Sequence, residues 1–526
     1  MKKILSIALV IAMMASMLIM GTSAATWTGA ADTTWYDASK TEFTLTTAEQ
    51  LAGLAELVNN GTDTFTEKTI KLGADIVLNT GDYKTWGTTA PANEWTPIGL
   101  YNGSAFMLFK GTFDGQGHSI SGMYINSANE TDKAMRTALF GCVGGGVVIT
   151  NLTVKNAYVA ASGDNGNAII AGQHSGSPAI TFKGLTVEDV LLDAASNNEG
   201  VGLVFGRAGS ATPGTFFEDC VIKGEIINAG NRTAGVYGYQ SGGTHPDISF
   251  KNTVVDVTIT GGGDNIAGLF AYTSKATNVT VENCAINANI KTEGSNAAAV
   301  LNHQLTGNTA IITIKDTTVS GSVEATSAAG LVMGLIADNG SIIDVINVAV
   351  TGTAKSYDNY VGAVVGKLGG TLANSGCLTL DNVYSAATAT SADATAKIDP
   401  VGGMEAAGCV VGGATVVTDK AAFTAKLDAT IWDTASLTLK VAANHTPTTP
   451  PTQDTTKAPE TTKAPTQDTT KAPTADTTKA PTDDTTGTVT PAPTGDAGTL
   501  VWVALAAVAM VAIVGTALVE RKRTAK

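Results

Sequence analysis

The stretch ITFKG at residues 180–184 returns as ISFKN at 248–252, VTVEN at 279–283 and ITIKD at 312–316. Each copy alternates apolar and polar residues, the period-2 signal of a strand with one buried face. Each also precedes a second apolar alternation. Anchored on that second alternation, Val154 has counterparts at Val187, Ile222, Val255, Ile286, Val319, Val350 and, more weakly, Ser385, at spacings of 33, 35, 33, 31, 33, 31 and 35 residues. Five residues before each anchor stand Ile149, Phe182, Phe217, Phe250, Val281, Ile314, Val345 and Leu380. Four residues after it the same reading places Tyr158, Leu191, Ile226, Ile259, Ile290 and Val323 in one column. A strict repeat of 20–50 residues marks a solenoid. The repeat therefore predicts an all-β chain coiled as a parallel β-helix, right-handed by the general preference of parallel crossovers.

A further apolar strand accompanies each unit: ALFG, AIIAG, GLVFG, AGVYG, AGLFA, AAVLN, GLVMG, GAVVG and GCVVG, ending at 141, 172, 206, 238, 271, 302, 334, 366 and 412. A small closing residue suits a sharp turn where a side chain would clash. The last spacing, 46 residues, predicts an insertion around residues 391–401. Eight or nine coils at the interstrand distance would extend roughly 40 Å. Stacking also makes the charges legible. Lys183, Glu218, Lys251, Glu282 and Lys315 share one column, and Lys155, Glu188, Lys223 and Asp256 another, both alternating in sign. These columns read as ladders of exposed ion pairs, worth roughly 0.2–1 kcal/mol each, that favour correct register.

At 526 residues, with only 15% charged residues and a net charge of −14, the chain is acidic. That balance argues against nucleic acid and against electrostatic docking on anionic lipid. Residues 1–25 read as a secretory signal: Lys2 and Lys3, an apolar run, and small residues at 22–24 before the cut. Five cysteines are few for an exported chain of this length, which suits a bacterial source. Cys220 and Cys284 fall two coils apart, beyond disulfide reach, and read as core. Residues 44–61 form a helix capped by Thr46 with Glu49, ended by Asn60-Gly61, with strands following at 69–72 and 75–78. Trp27, Trp35, Trp86 and Trp95 all precede the repeats and read as core of an N-terminal module covering 26–137. Open solenoid ends expose strand edges, so terminal units are expected to be caps. A C-terminal cap is expected at 413–444, with Trp432.

The order helix, TIKLGADIVLN, WTPIG, GTFDGQGHSISGMYI and then GLVFG-like strands resembles bacterial cell-surface proteins with GLUG-type repeats. The resemblance spans about residues 27–444, and FDGQGH is its most specific part, although Ala271 and Asn302 replace the closing glycine. It implies a right-handed parallel β-helix and an adhesin-like role. FDGQGH itself reads as a tight turn between coils.

From 445 to 498 near-copies of APTxDTTK recur with almost no apolar residue, a composition expected to stay extended and disordered. Residues 499–519 are apolar or small and long enough to span a bilayer. The basic tail 520–526 orients the C-terminus to the cytoplasm. Just before the span, PAPTGD at 491–496 resembles an LPXTG-like sorting signal through Thr494 and Gly495, with Pro491 and Ala492 where that pattern has leucine and proline. It implies sortase and the Gram-positive cell wall as partners; the alternative is a permanent membrane anchor.

No metalloprotease, Walker, nucleophile-elbow or CxxC pattern occurs, and the five histidines show no metal-ligand spacing. No catalytic residue, metal or cofactor is assigned. Glu218 and Glu282 come nearest to a glycosidase carboxylate pair, but Lys251 should lie between them. One strip reads as a binding surface. Just after the closing small residue, adjacent coils carry Gln173, Arg207, Tyr239, Tyr272 and His303, with His174, Gln240 and Gln304 beside them. Stacked, they would form a polar and aromatic strip about 20 Å long, of the kind that recognises sugars or peptides. The expected function is adhesion to an extracellular glycan or protein. The alternatives are a polysaccharide hydrolase or lyase, and a structural surface-layer component.

Overall fold

The computed structural model describes residues 26–443 except 102–103, 128–135, 162–165, 196–199, 210–213, 243–245, 275–276, 303–309, 338–341, 359, 370–377, 394–396, 405–410 and 413–415. The expected signal, stalk, span, tail and sorting residues Thr494 and Gly495 lie outside the described residues, as does His303. Among the described residues, no helix is long and apolar enough to cross a membrane.

The chain is an all-β parallel solenoid of about seven turns. Eight strands in one stack, from Asn167–Ala168 to Lys397–Met404, bound those seven turns. A representative turn has a first side, Asp247–Lys251, and a second side, Val254–Gly261. Its third side is two short strands, Ile266–Ala267 and Phe270–Thr273, flanking a bend. The anchor column stacks as the repeat requires: Val154 opposite Val187, then Ile222, Val255, Ile286, Val319, Val350 and Ser385.

Apolar residues at like positions must meet inside, and they do so ring on ring. Phe182 and Phe217 stack at 5.1 Å and 14°, Phe217 and Phe250 at 4.8 Å and 6°. A second file, Phe205, Tyr237 and Phe270, keeps 4.9 Å between successive centroids. Each fully buried ring contributes roughly 1.5–3 kcal/mol by leaving water. One continuous core runs from Trp27 to Val383.

Corners are made by residues that tolerate a left-handed backbone. Between first and second sides stand Asn151, Gly184, Asp219, Asn252, Asn283, Asp316, Asn347 and Asn382, all at φ between 47° and 61°. Their side chains form ladders along the stack. Asn283 Nδ2 donates to Asn252 Oδ1 at 2.8 Å, and Asn252 Nδ2 to Asp219 Oδ1 at 2.9 Å. Asn382 likewise donates to Asn347 at 2.9 Å and Asn347 to Asp316 at 3.1 Å. Each run starts on an aspartate because a carboxylate accepts without needing to donate onward.

Several expectations need correction. Leu192, not Leu191, lies opposite Ile226, because a register shift follows Val187. Tyr158 accordingly leaves the solenoid core and packs with Trp86 and Tyr124. GCVVG is not a ninth third-side strand. Lys397–Met404 takes that place beside Tyr360–Gly369, and Val411–Gly412 pairs with Leu378 and Thr379 on the first side. No insertion is needed. The FDGQGH turn joins two strands of one coil, Thr112–Asp114 and Ser119–Ser121, with Gln116 and Gly117 at positive φ. The helix spans Ala48–Asn59 and its capping pair is Thr47 with Gln50, while Glu49 accepts from Thr28 instead. The segment with Phe423, Trp432 and Leu439 packs along the side of the stack, where Trp432 Nε1 donates to Asp316 Oδ1 at 3.3 Å.

The first charge column is in register and closed by ion pairs, Lys183–Glu218 at 2.9 Å, Lys251–Glu282 at 3.7 Å and Lys315–Glu282 at 2.7 Å. In the second, Lys155 lies opposite Glu188 and Lys223 opposite Asp256, but the described ion pairs include neither.

Candidate functional site

The third side turns so tightly that neighbouring backbones touch. A Cβ on Gly206 would lie 2.6 Å from both Asn167 N and Gly172 O. The small residue closing GLVFG-like units is therefore a packing requirement, and the residue after it is the first whose side chain can point outward. Gln173, Arg207, Tyr239 and Tyr272 occupy that position on successive coils and pair in exact sequence order: Gln173 with Arg207, Arg207 with Tyr239, Tyr239 with Tyr272. Three coil steps make this a line of about 14 Å. Strand alternation sends the neighbouring His174 and Gln240 the other way; both are fully buried and leave the strip. Gln240 Oε1 accepts from Tyr237 Oη at 2.7 Å, and burial pushes the His174 pKa down to about 4.

Two arginines join the strip from turns. The Arg232 guanidinium lies 4.5 Å from the Tyr239 ring centroid and 4.7 Å from that of Tyr272. Arg207 also lies over Tyr239, 5.2 Å from its ring centroid. Tyr239 and Tyr272 are themselves 5.4 Å apart at 53°. Tyr239 is thus enclosed, 7% exposed, while Arg207, Arg232 and Tyr272 are half-buried. Further along, Arg136 donates through Nε to Gln173 Oε1 and lies 5.6 Å from the Tyr101 ring. Each cation over a ring contributes about 0.5–2 kcal/mol, more as water is excluded. The result is a stiff row of guanidinium and phenol groups.

Column logic could not find Arg136 and Arg232, because neither sits at the strip position of its coil. A signal was nevertheless present. Both open the phrase Arg-Thr-Ala before a GLVFG-like unit, RTALFG at 136–141 and RTAGVYG at 232–238.

The main rival is a concavity of about 490 Å³ beside the helix, lined by Trp27, Glu56, Asn59, Glu94 and Trp95 among others. Its indoles are framework. Trp27 Nε1 donates to Ala30 O at 2.7 Å and Trp95 Nε1 to Leu139 O at 3.2 Å. Glu218 and Glu282 are each held in ion pairs with lysines of adjacent coils. The three described cysteines are buried, free thiols pushed up to about 12 by desolvation, and they fill core space. No protein-family model matches the chain, and comparisons with curated proteins and with solved structures return no match.

Proposed function

We propose that this is an exported bacterial surface protein that binds an extracellular glycan or protein through the outer strip of its solenoid, in the manner of an adhesin. The single observation that supports this most is the strip: four residues at like positions of four separate coils, with Tyr239 enclosed among its neighbours, joined by two turn arginines and packed into one ordered polar and aromatic line. Such rigid tyrosine and arginine surfaces are enriched where proteins meet partners. The resemblance to GLUG-repeat surface proteins points the same way. In this reading the right-handed coil is closed at its N-terminal end by the helix Ala48–Asn59, and the Thr/Pro segment holds it off the cell. Either the span 499–519 or sortase joining at Thr494 of PAPTGD retains it.

The test is binding of the full chain, displayed on cells, to an array of glycans and extracellular-matrix proteins. A double variant, Tyr239→Ala with Tyr272→Ala, is expected to lose most of that binding. Full binding by the double variant would remove the strip from the function.

A further inference from the structure

We infer that the concavity beside the helix Ala48–Asn59 is a second binding site, for a small organic amine: an ammonium group carried on an apolar, ring-sized body. It is separate from the strip and stands or falls without it.

The first observation is how the helix divides its residues. Leu51, Leu54 and Val58 are buried in the core. Ala52, Ala55, Glu56 and Asn59 form a different stripe, at i, i+3, i+4 and i+7, and all four line the concavity. The two alanines leave room that leucines would fill. The walls are also fixed. Asn59 Nδ2 donates to Pro97 O at 2.9 Å while its Oδ1 accepts from Gly99 N at 2.8 Å, which pins the helix to the opposite wall. Asn93 Nδ2 donates to Trp27 O at 2.7 Å and ties the third wall to the same loop. The hollow of about 490 Å³ is therefore held open. Small-molecule sites are largely pre-formed and of about 300–1,000 Å³.

The second observation is charge. The lining includes two carboxylates, Glu56 and Glu94, and no lysine, arginine or histidine. Glu94 is already engaged, accepting from Asn126 N at 2.6 Å, so the inference rests on Glu56. That residue is exposed, and among the described residues no side chain pairs with it. It stands in the last turn of its helix, which contains no basic residue. The helix dipole puts partial negative charge at that end, where a carboxylate is unfavourable and a cation favoured. Stability alone would place a lysine there. A carboxylate with no partner of its own suits a cation brought by a ligand.

The third is the surface around that carboxylate. Trp27, Ala52, Ala55, Trp95 and Leu100 make most of it apolar. Both indole N–H groups are spent on backbone carbonyls, so the tryptophans offer carbon and a ring system that attracts cations. An amine without a body forgoes this surface, and an anion of the same shape meets Glu56. A lysine side chain of a partner protein is the other candidate. It carries the charge on a thin stem that leaves much of the hollow empty.

The test is equilibrium dialysis of the full-length chain, with matched detergent on both sides, against tryptamine, indole-3-propionate, butylamine and polylysine. Tryptamine is expected to bind at one site, at least tenfold more tightly than the anion of similar shape or the amine without a ring. Glu56→Gln should weaken tryptamine at least tenfold and melt no lower than wild type, because it removes a charge that opposes the helix dipole. Ala52→Leu should abolish binding by filling the hollow. Glu225→Gln, which removes an acid elsewhere on the surface, should bind as wild type does. Absence of tryptamine binding overturns the inference, as does indole-3-propionate or butylamine held as tightly. Equal binding by wild type and Glu56→Gln overturns it, and a lower melt for that variant assigns Glu56 to the fold instead. Equal weakening in Glu225→Gln reduces the effect to net charge and overturns it too. Polylysine held more tightly than tryptamine replaces the small amine with a basic protein partner.

Discussion

Replacing Asn252 separates the two jobs of the corner column. Its backbone is left-handed, φ 50°. Its side chain donates to Asp219 at 2.9 Å and accepts from Asn283 at 2.8 Å. Asn252→Ala removes both bonds, about 1 kcal/mol each, and places a Cβ where the left-handed conformation costs roughly 1–2 kcal/mol. Asparagine already bears part of that steric cost, so a total of about 3 kcal/mol is expected. Asn252→Gly removes the same bonds and relieves the corner, but loosens the unfolded chain by about 0.5–1 kcal/mol. Glycine should therefore be the milder substitution by about 0.5–1 kcal/mol, the reverse of the order at an ordinary strand position. Asn252→Asp keeps an acceptor for Asn283 but sets a carboxylate beside Asp219, so its deficit should shrink as the pair protonates in acid. Urea midpoints at constant slope measure the differences. Hydrogen exchange in Gly214–Glu218 and Asp247–Lys251 locates them, since solenoid coils open against their neighbours. Alanine equal to or better than glycine would refute the corner argument. Both variants within about 0.5 kcal/mol of wild type would refute the ladder.

Three further outcomes follow from the same structure. Phe217→Ala, at a fully buried ring touching Phe182, Tyr237 and Phe250, should cost about 3–5 kcal/mol; a urea-midpoint change no larger than that of a surface substitution would contradict the stacked core. Lys251→Glu puts a third acid between Glu218 and Glu282 and should lower the melting temperature by an amount worth at most about 1 kcal/mol that shrinks with added salt; an unchanged melt would count against the charge ladder. His174 is held neutral by burial, its pKa depressed from 6.5 to about 4, so the unfolded chain takes up that proton first. Stability should be present above pH 6.5 and fall as pH drops toward 4, by up to about 3 kcal/mol. His174→Leu should flatten that slope, and an identical pH profile would exclude His174 as its source.

Much of the architecture could be read from periodicity alone. Val187, Ile222 and Val255 recur because one buried position per coil demands one kind of residue, and Lys183, Glu218 and Lys251 stand in line for the same reason of register. The corner asparagines were visible as the last letters of ISFKN and VTVEN, although their mutual bonds were not. The strip was legible as far as position dictates it, which is Gln173, Arg207, Tyr239 and Tyr272. What position does not dictate was missed. GCVVG and a third-side unit look alike because both are apolar pairs among small residues, and only pairing with Leu378 and Thr379 distinguishes them. Arg232 and Arg136 reach the tyrosines and Gln173 from turns whose lengths vary from coil to coil, and a turn's path depends on the backbone packed beneath it. His174 and Gln240 are polar letters that alternation folds inward. Linear order determines which residues share a column, because strand spacing is constant; which side chains from different columns touch is decided by the turns, whose geometry exists only once the coils have stacked.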